Sequence, residues 1–203
     1  MRLGLLGPSN GDLAQLARAA EFLLNGVRVT RAIYLGADDA LEETVGLWAE
    51  SLVGSDPSDE GVWNRAFEVA ALGTVEQIDA FLRRERARLR LKSLERLPQE
   101  ELRSVEMFGD RVAVLIHDKA LLDEEDIFSA TFLVYGKSDE PLVKKIGPRW
   151  FVTPGPLGDV EGGVMVLDDS GDDVLATVYD GDGRASHSET LTVRRSAKVS
   201  VQP

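Results

Sequence analysis

Apolar and polar positions along the first fifty residues follow a pattern typical of strands that alternate with helices. Arg2–Leu6 is a short apolar run suited to a buried strand, and residues 7–11 form a turn of glycine, proline and asparagine. Residues 13–24 place apolar side chains three and four positions apart, as an amphipathic helix does. A second strand is predicted over residues 31–35 and a second helix over about 40–52. This alternation predicts parallel strands with helices packed on the sheet.

The pattern changes over residues 61–97, where apolar spacing predicts a helical hairpin or a helix interrupted near Gly73-Thr74. The second half of this segment is rich in arginine, and Pro98 ends it. We interpret 61–97 as a helical insertion. Its basic run is typical of a solvated helix face, with a partner surface or a nucleic-acid contact as the alternatives. Nucleic acid is disfavoured because no aromatic residues are interleaved for base stacking.

Strand patterns return after residue 103. They are predicted over 104–107, 111–116, 131–135, 142–145, 150–153, 163–167 and 174–179, with turn residues between them. Residues 1–180 are therefore expected to form one domain. Residues 181–203 are expected to be a polar C-terminal extension, either an added strand or a loose tail, with alternation at 190–193 and 198–201.

Composition narrows the function classes further. The chain has 203 residues, 43% hydrophobic and 29% charged, which is ordinary for a soluble globular protein. Its net charge of −12 argues against general nucleic-acid binding. No cysteine is present, which excludes disulfides, thiolate metal sites and cysteine nucleophiles. No apolar stretch approaches the roughly 20 residues of a membrane helix, and the N-terminus does not match a secretory signal, so we expect a cytoplasmic protein without membrane contact.

The first turn resembles a known motif. The calcineurin-like metallophosphoesterases end their first strand in Asp-x-His-Gly-Asp, and the same frame here is Pro8-Ser9-Asn10-Gly11-Asp12. The later motifs of the small YfcE-like branch fall in order on Gly36-Ala37, Gly54-Ser55-Asp56, His117-Asp118-Lys119, Gly136-Lys137-Ser138-Asp139 and the turn at residues 153–157. The resemblance covers most of the chain outside the helical insertion and the extension. It implies an α/β fold, a metallophosphoesterase-like two-sheet β-sandwich flanked by helices.

The resemblance also implies that the family's two-metal site is degenerate. Two divalent ions need carboxylate, imidazole or amide ligands, and most of these are replaced. The degenerate active-site positions are Pro8, Asn10, Ala37, Ser55, His117, Lys119, Lys137 and Asp139. We therefore expect no metal, no cofactor and no catalytic residues. The predicted function is a catalytically inactive protein-interaction or scaffolding module, for which the retromer subunit of this fold is a family-level precedent.

Two alternatives stay open from the sequence. A residual metal-dependent phosphoesterase could hold one metal with some of Asp12, Asp38, Asp39, His117 and Asp139. A metal-free protein could instead bind a phosphorylated ligand through Lys119, Lys137 and the amides of the first turn. Each residue also has a structural interpretation. The three aspartates that precede helices are typical N-caps, the histidine at a strand end is typically structural, and the lysines are typically solvated.

The expected partner is a protein. Arg84, Arg88 and Arg90 follow one another on the basic end of the helical insertion, and arginine is favoured at interfaces. We expect these side chains to face outward and bind an acidic or amphipathic protein surface, or a second copy of this chain.

Overall fold

The computed structural model describes residues 1–192, which contain two mixed β-sheets with helices on their outer faces. The strands are β1 (Arg2–Leu6), β2 (Arg31–Tyr34), β3 (Leu94–Arg96), β4 (Arg103–Phe108), β5 (Arg111–Ile116), β6 (Phe132–Tyr135), β7 (Leu142–Ile146), β8 (Arg149–Thr153), β9 (Val164–Asp168), β10 (Val174–Tyr179) and β11 (Ala185–Leu191). The helices are α1 (Leu13–Glu21), α2 (Ala40–Val53), α3 (Gly61–Leu72), α4 (Val75–Leu91) and α5 (Glu124–Ser129). The predicted two-sheet α/β architecture is confirmed.

The first sheet has the strand order β11-β10-β9-β1-β2-β3. β1, β2 and β3 run parallel, with Leu5 opposite Ile33 and Ile33 opposite Glu95. β9 pairs with β1 in the antiparallel direction, and β10 and β11 extend the same edge as antiparallel neighbours. The second sheet has the order β4-β5-β6-β8-β7, in which β5, β6 and β8 are parallel.

Side-chain alternation in β1 divides the core into two layers. Leu3 and Leu5 point between the sheets and pack with residues such as Phe132 of the second sheet, all fully buried. Leu6 points to the opposite face of the first sheet, which helices α1, α2 and α4 cover. There it belongs to the same apolar cluster as Leu16 of α1. A smaller apolar cluster lies on the outer face of the second sheet. Within residues 1–192, no helix has the length and apolar character needed to cross a membrane.

Two segments differ from the sequence predictions. The helical part of the predicted 61–97 insertion ends at Leu91, because Leu94–Arg96 pairs in parallel with β2 as the third strand of the first sheet. A strand of three residues is too short to show alternation after a helix rich in leucine. Residues 185–191 of the predicted extension form β11 and pair with β10. The predicted alternation at 198–201 lies outside the described residues.

A buried ion network holds α3 and α4 together. Glu85 of α4 accepts hydrogen bonds from Arg65 of α3 and from Arg88, each at 2.8 Å. Arg88 is 6% exposed and also donates to the carbonyl of Pro57 at 2.9 Å and to Asp59 at 3.0 Å. Burial alone raises the pKa of Glu85, but the two arginines outweigh it and hold the pKa below its usual range. The predicted outward position of Arg88 is therefore wrong: it is an internal cation.

We expect Arg88→Ala to lower the free energy of unfolding by about 3 kcal/mol, because it leaves the buried Glu85 carboxylate with one cation fewer. Arg84→Ala is the matched control. Arg84 is exposed, and its only described bond is a long one of 3.4 Å to the carbonyl of Ala80, so a change within about 0.5 kcal/mol is expected. Urea unfolding followed by circular dichroism measures both.

The pH dependence provides a second check. A lowered pKa stabilises the fold above the usual glutamate value of about 4.3, and this contribution is lost as the pH falls through the folded-state pKa. The difference between wild type and Arg88→Ala should therefore shrink below about pH 4. Equal stability of the two proteins at pH 7 would contradict the network.

Candidate functional site

The carboxyl ends of the parallel strands of both sheets meet at one edge of the sandwich. His117, directly after β5, places Nδ1 2.8 Å from the carbonyl oxygen of Leu35, directly after β2. The amide of Leu157, in the loop after β8, donates to the carbonyl of Pro8 in the loop after β1 at 2.9 Å. In open α/β sheets, ligands bind at the carboxyl ends of parallel strands. This edge is therefore the candidate site.

Two glycines allow the loops to approach so closely. A Cβ at Gly7 would lie 1.8 Å from the carbonyl oxygen of Gly155, and one at Gly136 would lie 2.2 Å from that of Leu35. Both distances are far below contact distance, so no other residue fits at these positions without moving the backbone. The glycines that follow β1 and β6 are thus explained by packing between the two sheets.

A cleft of about 610 Å³ lies at this edge, lined by Pro8, Asn10, His117, Asp118, Lys119, Lys137, Ser138, Asp139 and Pro156. Most of the predicted degenerate positions therefore meet in one place. Ala37 is exposed in the turn after β2 and does not line the cleft.

Ser55 lies elsewhere. It follows α2 rather than a strand, in the loop that Arg65 and Arg88 hold, so its predicted place among the strand-end positions is wrong. The third parallel strand of the first sheet is β3, and the loop at its carboxyl end contains Pro98 and Gln99. Gln99 donates to Asp39 at 3.1 Å, which ties this loop to the one after β2.

A tyrosine hydroxyl joins the first two strand-end loops. Tyr34 is fully buried, and its hydroxyl donates to Asp38 at 2.8 Å while it accepts from the backbone amide of Ser9 at 3.0 Å. The Ser9 hydroxyl lies 3.1 Å from the same oxygen. Burial raises the pKa of Tyr34 to about 12, so the group is a neutral donor at physiological pH. The sequence pattern gave no signal for this role, because Tyr34 continues an apolar strand.

The carboxylates proposed for a residual metal site serve other partners. Asp12 caps α1 by accepting from the amide of Gln15 at 2.9 Å, and Asp38 accepts from Tyr34 and from the amide of Ala40. Asp39 pairs with Arg96, and hydrogen bonds from Arg96 and Gln99 hold its pKa below the usual range.

The donor set does not fit a metal centre of the implied kind. Asp139 lines the cleft but is exposed to solvent. Across the described part of the chain, no three histidine, aspartate or glutamate side chains converge as metal ligands. The imidazole of His117 is tied to the first sheet through its bond to the carbonyl of Leu35, which fixes the proton on Nδ1 because a carbonyl only accepts.

Both cleft lysines also have partners. Lys137 donates to Asp118 at 2.6 Å, and this bond holds the pKa of Asp118 below its usual range. The ammonium of Lys119 lies 4.9 Å from the ring centre of Tyr135, within cation–π range. The amides of the first turn are partly used as well, since Gly7 donates to the carbonyl of Gly163 and Ser9 donates to Tyr34.

A second surface, on α3 and α4, is unusually apolar. Large apolar side chains on or next to these helices are strongly exposed: Trp63 76%, Phe67 75%, Leu72 91%, Val75 70%, Ile78 39%, Leu82 41% and Leu89 49%. Of the predicted partner-binding arginines, Arg84 is exposed, Arg88 is buried, and Arg90 donates to the carbonyl of Leu24. This surface therefore combines exposed apolar side chains with exposed arginines, of which Arg84 and Arg90 were predicted and Arg88 is not one.

Comparison of the whole chain with solved structures gives the class of fold. The chain is similar to a conserved uncharacterized protein, described as a predicted phosphoesterase, from Streptococcus pneumoniae, with 12% identity over 93% of this chain and 95% of that chain and a TM-score of 0.51. Another match is an archaeal phosphodiesterase, with 11% identity over 94% of this chain and 99% of that chain and a TM-score of 0.48. A further match is a Vps29 single mutant from Entamoeba histolytica, with 14% identity over 94% of this chain and 99% of that chain and a TM-score of 0.49. No protein-family model and no curated protein matches the sequence. The chain has the fold of this predicted phosphoesterase, which confirms the fold expected from the strand-end motifs.

We expect Tyr34→Phe to lower the free energy of unfolding by about 1–3 kcal/mol, because it leaves Asp38 and the Ser9 amide without their shared partner. Tyr135→Phe is the matched control: Tyr135 is also buried, and its hydroxyl makes no hydrogen bond within residues 1–192. Thermal unfolding of the three proteins measures the difference. Equal losses in the two variants would refute the tie between the loops.

Proposed function

We propose that this chain is a catalytically inactive phosphoesterase-fold protein that acts through protein association rather than metal-dependent hydrolysis. The observation that carries this proposal is that the polar groups at the strand ends are bonded to each other. Tyr34 engages Asp38 and Ser9, Lys137 engages Asp118, and Arg96 engages Asp39. These groups would have to break their internal bonds to bind a metal or a substrate.

Hydrolysis of a phosphate ester at neutral pH needs an activated water. A bound metal lowers the pKa of its water to about 7, and neither a lysine nor a positioned amide has a comparable effect. The cleft offers a single imidazole and two carboxylates, and one of these, Asp118, is already paired with Lys137. The ammonium groups of Lys119 and Lys137 would repel a divalent cation. This donor set supports the inactive form over a residual phosphoesterase.

Binding of a phosphorylated ligand without metal is also less well supported than protein association. Lys137 would first have to leave Asp118, a bond of 2.6 Å, and the Gly7 and Ser9 amides already donate within the fold. The exposed apolar side chains of α3 and α4 have no such competing partners. A contiguous apolar patch above a few hundred Å² is typical of an interaction surface.

We expect hydrolysis of bis-p-nitrophenyl phosphate by the full chain to equal that of buffer, with or without 1 mM Mn²⁺. His117→Ala is the matched control, because His117 is the one imidazole in the cleft. Turnover by wild type that disappears in His117→Ala would contradict the proposal. Turnover that is equal in both proteins identifies a contaminating hydrolase and leaves the proposal standing.

A further inference from the structure

The exposed face of α4 follows the spacing of a helix that packs against another helix. Val75, Ile78, Leu82 and Leu89 are three, four and seven residues apart, so they form one stripe along the helix. Each is 39–70% exposed. Glu85, which continues the spacing, is buried in its bonds to Arg65 and Arg88.

Helix α3 adds two aromatic side chains to the exposed area. Trp63 and Phe67 are one turn apart and are 76% and 75% exposed. Aromatic side chains bury about 150–250 Å² each in an interface. Together with the α4 stripe, the helical pair presents on the order of several hundred Å² of apolar surface. In a two-fold symmetric dimer both copies bury this surface. The total buried area then reaches the roughly 1,200–2,000 Å² of a standard interface.

The charges beside the stripe indicate which partner fits. Asp79 and Arg86 are both exposed and occupy equivalent positions, each four residues after a stripe residue. Glu76 lies in the N-terminal half of α4 with Asp79, whereas Arg90 lies in the C-terminal half with Arg86 and Arg83 is the central residue. Throughout residues 1–192, no ion pair involves Asp79, Arg83 or Arg86.

This arrangement is self-complementary when two copies of α4 run antiparallel. The acidic half of one helix then lies against the basic half of the other, whereas a parallel pair would bring like charges together. The helix dipole does not explain the pattern, because Asp79 and Arg86 are the fifth and twelfth residues of a 17-residue helix. The dipole acts mainly on the first and last turns.

The charge of the remaining surface points the same way. The chain carries a net charge of −12, so two copies repel each other over most orientations. The basic half of α4 is an exception, because its positive charge attracts a second, acidic copy of the chain. We propose that two copies of this chain associate through antiparallel packing of α4 on α4, with the stripe in the seam. Asp79 of each copy then lies against Arg86 of the other.

This inference rests on the proposed function in one way: it names a second copy of the chain as the partner in the proposed protein association. Sedimentation velocity of the full chain from 1 to 100 μM provides the test. Wild type should form a species of twice the 22.2 kDa chain mass. Asp79→Arg and Arg86→Asp should each weaken the dimer at least tenfold, because each creates two like-charge contacts. The combined Asp79→Arg/Arg86→Asp protein should recover to within about threefold of wild type.

Arg84→Asp is the matched control, since Arg84 is exposed on the opposite side of α4, and it should dimerise as wild type does. Circular dichroism and melting temperature of each variant separate lost association from lost folding. A wild type that stays monomeric at 100 μM overturns the proposal. So does a combined variant that fails to recover. A dimer strengthened by Asp79→Arg alone also overturns it. A monomer without hydrolytic activity would overturn the dimer but leave the proposed inactivity intact. A dimer with hydrolytic activity would support the dimer but overturn the proposed inactivity.

Discussion

The candidate site depends on one hydrogen-bonding group, the buried hydroxyl of Tyr34. It donates to Asp38 after β2 and accepts from the amide of Ser9 after β1, so it fixes two strand-end loops at once. Burial raises its pKa to about 12 and keeps it neutral, which lets it serve as donor and acceptor together. In the family that the motifs resemble, metal ions connect these loops. Here a side chain from the strand below makes the connection, and the carboxylate of Asp38 is used in it.

A second consequence concerns the helical pair. Charges occupy part of the space between α3 and α4, because Glu85, Arg65 and Arg88 bond to one another there. Trp63, Phe67 and Leu82 lie on the outside instead. Because charged side chains bond to one another in the interior, the apolar side chains on the outside are left to face a partner.

The sequence predicted the architecture well because most of the sheet strands have a clear apolar pattern bounded by turn residues. The predicted 111–116 and 174–179 coincide with β5 and β10. β3 was missed because three residues after a leucine-rich helix show no alternation, and Ser55 was misplaced because β3 follows two further helices. Neither Tyr34 nor Arg88 could be assigned from pattern. An aromatic residue in a strand resembles core, and an arginine in a basic run resembles surface.

The proposed inactivity requires that the strand-end cleft bind no divalent metal, and the melting temperature in the presence of metal measures such binding. An ion that binds the folded chain with a Kd a hundredfold below its concentration stabilises it by about 2.7 kcal/mol. We predict that 1 mM Mn²⁺ or Zn²⁺ leaves the melting temperatures of wild type and of His117→Ala unchanged. A rise of several degrees in wild type that is lost in His117→Ala would contradict the account.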